Sequence, residues 1–249
     1  MQNTEFRTGV IRPVECFKEG WELIKDQYWL FFAIVLVGML IGGLIPLGIG
    51  IGAMFCGIYY CLFQKMNNRK VEFEGLFKGF SYFVPGLVAT LVLIVPAVIS
   101  VLFVYASMLA VFFASMDSRG RINETAIWGL MGTMFVEMIA IWLIIGSLHV
   151  FLMFSYPLIV EKNMSGWAAF KLSARAGWAN LSGVVGLILI EFLLGLASYV
   201  FTFFLLGFGV YLVMPLMFAG VLVAYRKVFP ATESFPPAEN FPPPPPHAF

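Results

Sequence analysis

Long stretches without Asp, Glu, Lys or Arg alternate with short charged segments along this chain. Residues 27–64 contain none of these four residue types, and this run is about twice the roughly 20 residues that one helix needs to cross a membrane. Its middle, GGLIPLGIGIG, places Pro46 among several glycines, which end a helix and permit a tight reversal. The pattern predicts two short helices, at 29–45 and 49–64, with a re-entrant hairpin as the alternative.

The later uncharged runs predict four more membrane spans, at 85–113, 127–158, 181–201 and 205–225. Pro96 lies inside the first of these runs and can kink its helix. The whole pattern predicts an all-α polytopic membrane protein with about six transmembrane helices in three hairpins.

A short amphipathic segment precedes each predicted hairpin. In the first segment, an apolar face formed by Val14, Phe17, Trp21, Ile24 and Tyr28 opposes Glu15, Lys18, Glu19, Glu22, Lys25 and Asp26. Residues three and four apart share one face of an α-helix, and Pro13 suits the first turn. The spacing predicts an amphipathic helix that lies in the membrane interface.

The other two segments repeat this arrangement. In EFEGLFKGFSYF, an apolar face opposes a polar one: Phe73, Leu76, Phe77 and Phe80 against Glu74, Lys78 and Ser81. In SGWAAFKLSARAGW, the apolar face consists of Trp167, Phe170, Ala174 and Trp178, and it opposes Lys171 and Arg175. Ser165 is the predicted N-cap of this last helix. The three helices share a Phe-Lys pair: Phe17-Lys18, Phe77-Lys78 and Phe170-Lys171. They either anchor the spans that follow or form a platform for lipid or for a partner protein. On such a platform, each Lys or Arg near anionic lipid contributes about 1 kcal/mol to the free energy of membrane binding.

Composition supports the membrane assignment. The chain is 61% hydrophobic with a mean hydropathy of +0.91, and a soluble domain of this size could not bury that much apolar side chain. Cys16, Cys56 and Cys61 have no metal-ligand spacing and no neighbouring histidine, so neither a metal site nor a disulfide framework is expected. No cofactor is predicted.

The distribution of Lys and Arg predicts the orientation. With six spans, Arg119 and Arg121 face one side and the other Lys and Arg residues face the opposite side, which the positive-inside rule makes cytoplasmic. Both termini are then cytoplasmic. The predicted organisation is an N-terminal segment (1–12), one transmembrane domain (13–228) and a proline-rich flexible tail (229–249).

The tail contains one readable motif. Phe241 followed by Pro242, Pro243, Pro244 and Pro245 resembles the FPPPP ligand of EVH1 domains. A polyproline-reading domain is therefore a candidate partner, and a flexible extension without a partner is the alternative.

Ionisable residues inside predicted spans are candidates for function because burying a charge there is costly. Glu137 and Glu191 could bind a proton or cation at similar depths, or each could form a neutral hydrogen bond to a neighbouring helix. His149 is expected to be a packing residue, since one histidine cannot supply both axial ligands of a haem. The sequence shows no Ser-His-Asp set, phosphate-binding glycine loop or nucleic-acid face, which predicts a protein that is not an enzyme.

The order of these motifs carries a resemblance. The GW-containing surface helix, the Gly-rich hairpin, FEGLFKGF, SGWAAFKLSARAGWAN and the closing AYRKVF are similar to a broad group of uncharacterised bacterial six-helix membrane proteins, over about residues 10–228. That group includes the membrane domain attached to some glycerophosphodiester phosphodiesterases. The resemblance implies a bacterial cytoplasmic membrane, but no catalytic residue carries over, because a phosphodiesterase barrel needs about 250 further residues.

These observations predict a scaffold, assembly factor or accessory subunit that organises lipid or partner proteins at the cytoplasmic leaflet. The alternative is a small-solute or proton-coupled transporter that uses Glu137 and Glu191.

Overall fold

A computed structural model describes residues 6–114, 124–204 and 208–230, and these ranges contain helices but no β-strand. The α-helices, in chain order, are α1 (Pro13–Ile24), α2 (Tyr28–Leu44), α3 (Ile51–Met66), α4 (Phe83–Ala114), α5 (Glu124–Leu152), α6 (Ser155–Lys162), α7 (Gly166–Ala179), α8 (Leu181–Phe204) and α9 (Gly209–Val228). A long 3₁₀ helix, Phe73–Tyr82, precedes α4. The all-α prediction is confirmed for this part of the chain.

Five segments of the described ranges are long and apolar enough to cross a membrane. They are Pro13–Leu44, Phe73–Phe113, Ile127–Lys162, Leu181–Tyr199 and Gly209–Val228. The second predicted span corresponds to α3, which is not among the five because it has only 16 residues. The fourth predicted span, 127–158, is divided, since α5 ends at Leu152 and α6 begins at Ser155.

The chain forms two compact units. Met1–Thr90 together with Val150–Phe249 makes the main unit, and Leu91–His149 makes the second unit. The second unit contains the later part of α4 and most of α5, and it exposes large apolar side chains such as Phe103 (65%) and Trp142 (68%). Such a surface suits contact with lipid chains.

In the main unit, α3 is the central buried helix. It packs against α2, the long 3₁₀ helix, α6 and α9, and most of its side chains from Ala53 to Phe63 are buried. Glycines allow this close packing. A Cβ on Gly57 would lie 2.0 Å from the Leu76 carbonyl oxygen, and one on Gly79 would lie 2.1 Å from that of Ala53. The 3₁₀ helix therefore lies backbone to backbone on α3, which a larger residue at either glycine would prevent.

Helix α1 runs along α9 and buries one of its faces, which includes Gly20 and Phe17. A Cβ on Gly20 would lie 2.8 Å from the Gly220 backbone nitrogen, while Phe17 covers Gly220 on the same face. The Lys227 ammonium forms an ion pair of 2.7 Å with Glu19, and the Tyr28 hydroxyl donates a hydrogen bond to the α9 backbone further along. This packing encloses the face of α1 that contains Phe17.

The N-terminal segment is also part of the main unit. The Arg7 backbone N–H donates a hydrogen bond of 2.8 Å to the carbonyl oxygen of Val228, and the Phe6 and Phe229 rings lie 6.2 Å apart. The Asn180 side chain accepts a hydrogen bond of 2.7 Å from the Gly9 N–H and donates one of 3.0 Å to the Arg7 carbonyl oxygen. The beginning of the described chain therefore contacts the end of α9.

Candidate functional site

Helix α7 is positioned by its two ends. Asn163 adopts a left-handed conformation (φ 48°) that ends α6 and turns the chain toward α7. Ser165 occupies the N-cap position with extended backbone, although its side chain makes no capping hydrogen bond. At the other end, the Asn180 amide donates a hydrogen bond of 3.0 Å to the carbonyl oxygen of Ala176.

The buried face of α7 consists of small residues and one leucine: Gly166, Ala169, Leu172, Ser173, Ala176 and Gly177. A Cβ on Gly166 would lie 2.2 Å from the Pro85 carbonyl oxygen, so the helix approaches the start of α4 closely. The Ser173 hydroxyl accepts a hydrogen bond of 3.0 Å from the Phe154 N–H. These contacts determine which side of α7 remains exposed.

The exposed face of α7 carries both aromatic and basic side chains. Trp167 and Trp178 are 53% and 67% exposed, and Lys171 and Arg175 are exposed on the same side. The Lys171 ammonium lies 6.0 Å from the Trp167 ring centre, and Trp167 stacks on the half-buried Phe170 with their centres 5.4 Å apart. The sequence predicted that these aromatic residues oppose the basic ones. The two groups instead share one surface, because the small residues make the contact with the protein.

A shallow apolar groove of about 440 Å³ lies beside this surface, lined by Phe6, Phe151, Ala174, Arg175 and Trp178. Three parts of the main unit form it: the N-terminal segment, the end of α5 and α7. The Phe151 and Trp178 rings lie 6.4 Å apart. Arg175 is the one charged residue among the lining residues.

The predicted apolar face of α1 is divided in the structure. Phe17 is only 7% exposed and Ile24 is fully buried, whereas Val14 and Trp21 are exposed at 58% and 43%. Cys16 and Gly20 complete the buried face. Phe17, a predicted lipid or partner contact, therefore packs within the protein, while Trp21 and Lys18 remain accessible.

The second surface segment is a 3₁₀ helix rather than the expected α-helix. Side chains three residues apart align in a 3₁₀ helix, so Leu76, Gly79 and Tyr82 face the protein. Phe77 and Phe80 are each 43% exposed, beside the exposed Lys78. The expected stripe that joined Leu76 to Phe77 and Phe80 is therefore wrong, because it assumed the α-helical repeat.

Among the described residues, the lysines of the three Phe-Lys pairs have no acidic partner, whereas most basic residues near them do. Salt bridges link Arg12 with Glu15, Lys25 with Glu22, Lys65 with Asp26, Lys70 with Glu72, Arg226 with Glu161 and Lys227 with Glu19. Within the described ranges, no salt bridge or side-chain hydrogen bond involves Lys18, Lys78, Lys171 or Arg175. We call Lys18, Lys78 and Lys171 the surface lysines. Their charges are available to groups outside the chain.

The loop before the 3₁₀ helix illustrates the contrast. Lys70 and Glu72 form an exposed salt bridge of 2.8 Å. Their hydrogen bond lowers the pKa of the Glu72 carboxyl and raises the pKa of the Lys70 ammonium. Each charge of this pair stabilises the other. Among the described residues, no acidic side chain forms a salt bridge with a surface lysine.

A part-buried polar cluster joins α6 to α9, and the sequence pattern did not single it out. The Glu161 carboxylate accepts a hydrogen bond of 2.5 Å from Arg226 and a second one from the Tyr225 hydroxyl. The Arg226 guanidinium also lies 5.5 Å from the Phe63 ring centre on α3. Three helix ends therefore meet at this cluster. Glu161 lies in the polar segment EKNMSG, which gave no sign of its distant partner.

The intramembrane polar candidates lie in different units. Glu137 belongs to the second unit, and its Oε2 atom is buried without a hydrogen-bond partner. Glu191 belongs to the main unit, is half-buried and has an interaction partner. His149 is exposed at the end of the second unit and also has a partner. The sequence hypothesis that the two glutamates act together stays a prediction.

The remaining candidates concern metal binding and the tail. Among the described residues, no group of three or more His, Cys, Asp or Glu side chains could hold a metal ion, and the three cysteines are buried and unpaired. The FPPPP motif at 241–245 lies outside the described residues.

No protein-family model, curated protein or solved structure matches this chain. The resemblance to the bacterial six-helix membrane proteins therefore stays a prediction from the motifs.

Proposed function

We propose that this chain is a non-enzymatic membrane protein that acts as a scaffold, assembly factor or accessory subunit at the cytoplasmic leaflet. The observation that carries the proposal is shared by α1, the long 3₁₀ helix and α7. Each packs a face that includes a buried glycine against the rest of the main unit, and each exposes an unpaired surface lysine near large aromatic side chains. Exposed Trp and Phe beside Lys suit the headgroup region, where aromatic rings contact lipid and ammonium groups contact phosphates.

Six membrane crossings agree best with the contact between the N-terminal segment and the end of α9. The N-terminal segment hydrogen-bonds to the end of α9, and this contact supports an even number of crossings between the two. The five long apolar segments and α3 together make six. With a rise of 1.5 Å per residue, 16 residues cover about 24 Å, and a helix enclosed by protein can be shorter than the bilayer core.

The charges near these ends support a cytoplasmic assignment. The α6 and α9 ends carry Lys162, Arg226 and Lys227, and α3 ends near Lys65. Ion pairs connect α9 to α6 and to α1, so these basic segments lie on one side of the main unit. By the positive-inside rule, this concentration of basic residues supports a cytoplasmic location for this side of the main unit.

The test is purification of the full chain from its native membrane in a gentle detergent, with quantitative mass spectrometry. We expect a defined partner at constant stoichiometry, and loss of that partner in the triple variant K18Q/K78Q/K171Q. The matched control is K25Q/K70Q, which removes lysines that already have acidic partners. A partner-free protein across several detergents, or equal loss of the partner in both variants, would contradict the proposal.

The transporter alternative is supported by one observation, the unpartnered buried oxygen of Glu137. An unsatisfied acid in a span favours binding of a proton or polar solute. The variants E137Q and E191Q should then each abolish a proton-linked flux in proteoliposomes while the proteins still fold. Unchanged flux in both variants would exclude this function.

A further inference from the structure

We propose that the exposed face of α7 binds an anionic phospholipid, with the lipid phosphate between Lys171 and Arg175. The groove lined by Phe6, Phe151, Ala174, Arg175 and Trp178 holds the glycerol region and the first carbons of an acyl chain. This inference rests on the proposed function, because it assumes that α7 lies at the membrane surface, and it adds a defined site and a chemical class of ligand.

The charges of α7 favour an anion. The helix is described throughout its length and contains no Asp or Glu, and neither Lys171 nor Arg175 forms a salt bridge with a described residue. Residues four apart on a helix have Cβ atoms about 5–6 Å apart, so both cationic groups can reach one phosphate. An arginine guanidinium can also donate two parallel hydrogen bonds to phosphate oxygens.

The neighbouring acid does not neutralise this face. Glu161, on the preceding helix, already accepts hydrogen bonds from Arg226 and Tyr225. The exposed face of α7 therefore keeps its positive charge in the folded main unit.

The arrangement of the apolar groups favours a lipid over an acidic peptide. Trp167 and Trp178 lie at the two ends of the basic pair, and the groove beside Arg175 is lined otherwise by aromatic rings and one alanine. The groove is shallow and largely open, so it can hold the apolar part of a molecule whose remainder lies outside it. A phospholipid supplies an anion and an adjoining apolar chain in one molecule, whereas an acidic peptide would leave the groove unfilled.

The groove is formed before the ligand arrives. Asn180 fixes the N-terminal segment through the hydrogen bonds to Arg7 and Gly9, and this segment supplies Phe6. Because the N-terminal side of the groove is already ordered, little conformational entropy is lost when a ligand binds.

The test is native mass spectrometry of the full chain in detergent, titrated with phosphatidylglycerol and, separately, with phosphatidylcholine. We expect tighter binding of phosphatidylglycerol. Each basic residue near an anionic lipid contributes about a fivefold gain in affinity. The affinity for phosphatidylglycerol should therefore fall about fivefold for K171Q or R175Q and about thirtyfold for K171Q/R175Q. The matched control K25Q/K70Q removes two exposed lysines that already pair with Glu22 and Glu72, and it should retain the affinity.

A second variant tests the groove without changing charge. A174L places a larger apolar side chain in the groove and should weaken phosphatidylglycerol binding at least threefold, and thermal unfolding of each variant confirms that it is folded. Equal binding of the two lipids, equal losses in K171Q/R175Q and K25Q/K70Q, or wild-type binding by A174L would each overturn the site. Tighter binding of a glutamate-rich peptide than of phosphatidylglycerol would also overturn it and assign the face to an acidic protein.

This experiment separates the two proposals. Loss of the lipid site, with the native partner still recovered, would refute the α7 site alone. Absence of any partner, with specific phosphatidylglycerol binding retained, would refute the scaffold function alone.

Discussion

The contact between α3 and the long 3₁₀ helix predicts a strong effect from adding a single methyl group. In Gly57→Ala, the new Cβ would lie 2.0 Å from the carbonyl oxygen of Leu76 and 2.9 Å from its carbonyl carbon. Both neighbours are backbone atoms, so no side-chain rotation relieves the clash. The two helices must separate by about 1 Å to restore an ordinary contact distance.

The expected cost follows from two opposing effects. Overpacking a close contact costs up to about 3 kcal/mol in most measured cases. Replacing Gly by Ala inside a helix returns about 0.5–1 kcal/mol. We therefore expect Gly57→Ala to lower the free energy of unfolding by about 2 kcal/mol. For a chain of this size, the midpoint of thermal unfolding should fall by about 4–8 °C.

Gly43→Ala is the matched control. Gly43 also lies in an apolar helix, but a Cβ there would meet no atom within 4 Å. This variant should be unchanged or more stable by about 0.5–1 kcal/mol. The assay is thermal unfolding of both purified variants in the same detergent, with size-exclusion chromatography as a check on folding. Equal midpoints for the two variants would refute the backbone contact between α3 and the 3₁₀ helix.

Three further changes test other parts of the structure. Glu161→Gln should destabilise the protein by about 2–3 kcal/mol in a chemical unfolding titration, because it leaves the largely buried Arg226 without its carboxylate partner. Glu22→Gln, in an exposed pair, should cost less than about 1 kcal/mol, and equal effects of the two variants would contradict the part-buried cluster. Asn180→Ala removes three hydrogen bonds and should lower the free energy of unfolding by about 2–3 kcal/mol. It should also speed proteolysis near the N-terminus, and an unchanged cleavage rate would show that Asn180 does not hold that segment. Thr8→Cys and Ser118→Cys should react with a membrane-impermeant maleimide from opposite sides of the membrane, and labelling from one side would exclude the proposed topology.

The surface helices show why sequence periodicity alone misplaced several residues. A hydrophobic stripe predicts that large apolar side chains face the protein, as in a soluble helix. In α7 the large residues Trp167 and Trp178 face outward, and Gly166 and Ser173 face inward. When the outer environment includes lipid, a large apolar residue gains nothing by facing the protein, and small residues permit close packing of helices.

The charged residues show a similar limit. All the Lys and Arg positions are visible in the sequence, but several of them pair with acids far away along the chain. Lys227 pairs with Glu19, and Arg226 pairs with Glu161. Such pairs appear only in the tertiary structure, which is what distinguishes these charges from the surface lysines.

Length and apolar character along the chain determined the helical secondary structure, the segments long and apolar enough to cross a membrane, and the approximate limits of most helices. These properties are local, because a backbone in lipid must satisfy its hydrogen bonds within the helix. Tertiary packing decided that α3 is enclosed, that residues 73–82 form a 3₁₀ helix, and that the aromatic and basic residues of α7 share one face. These features depend on how closely two backbones approach each other, and that distance is set by residues far apart in the chain.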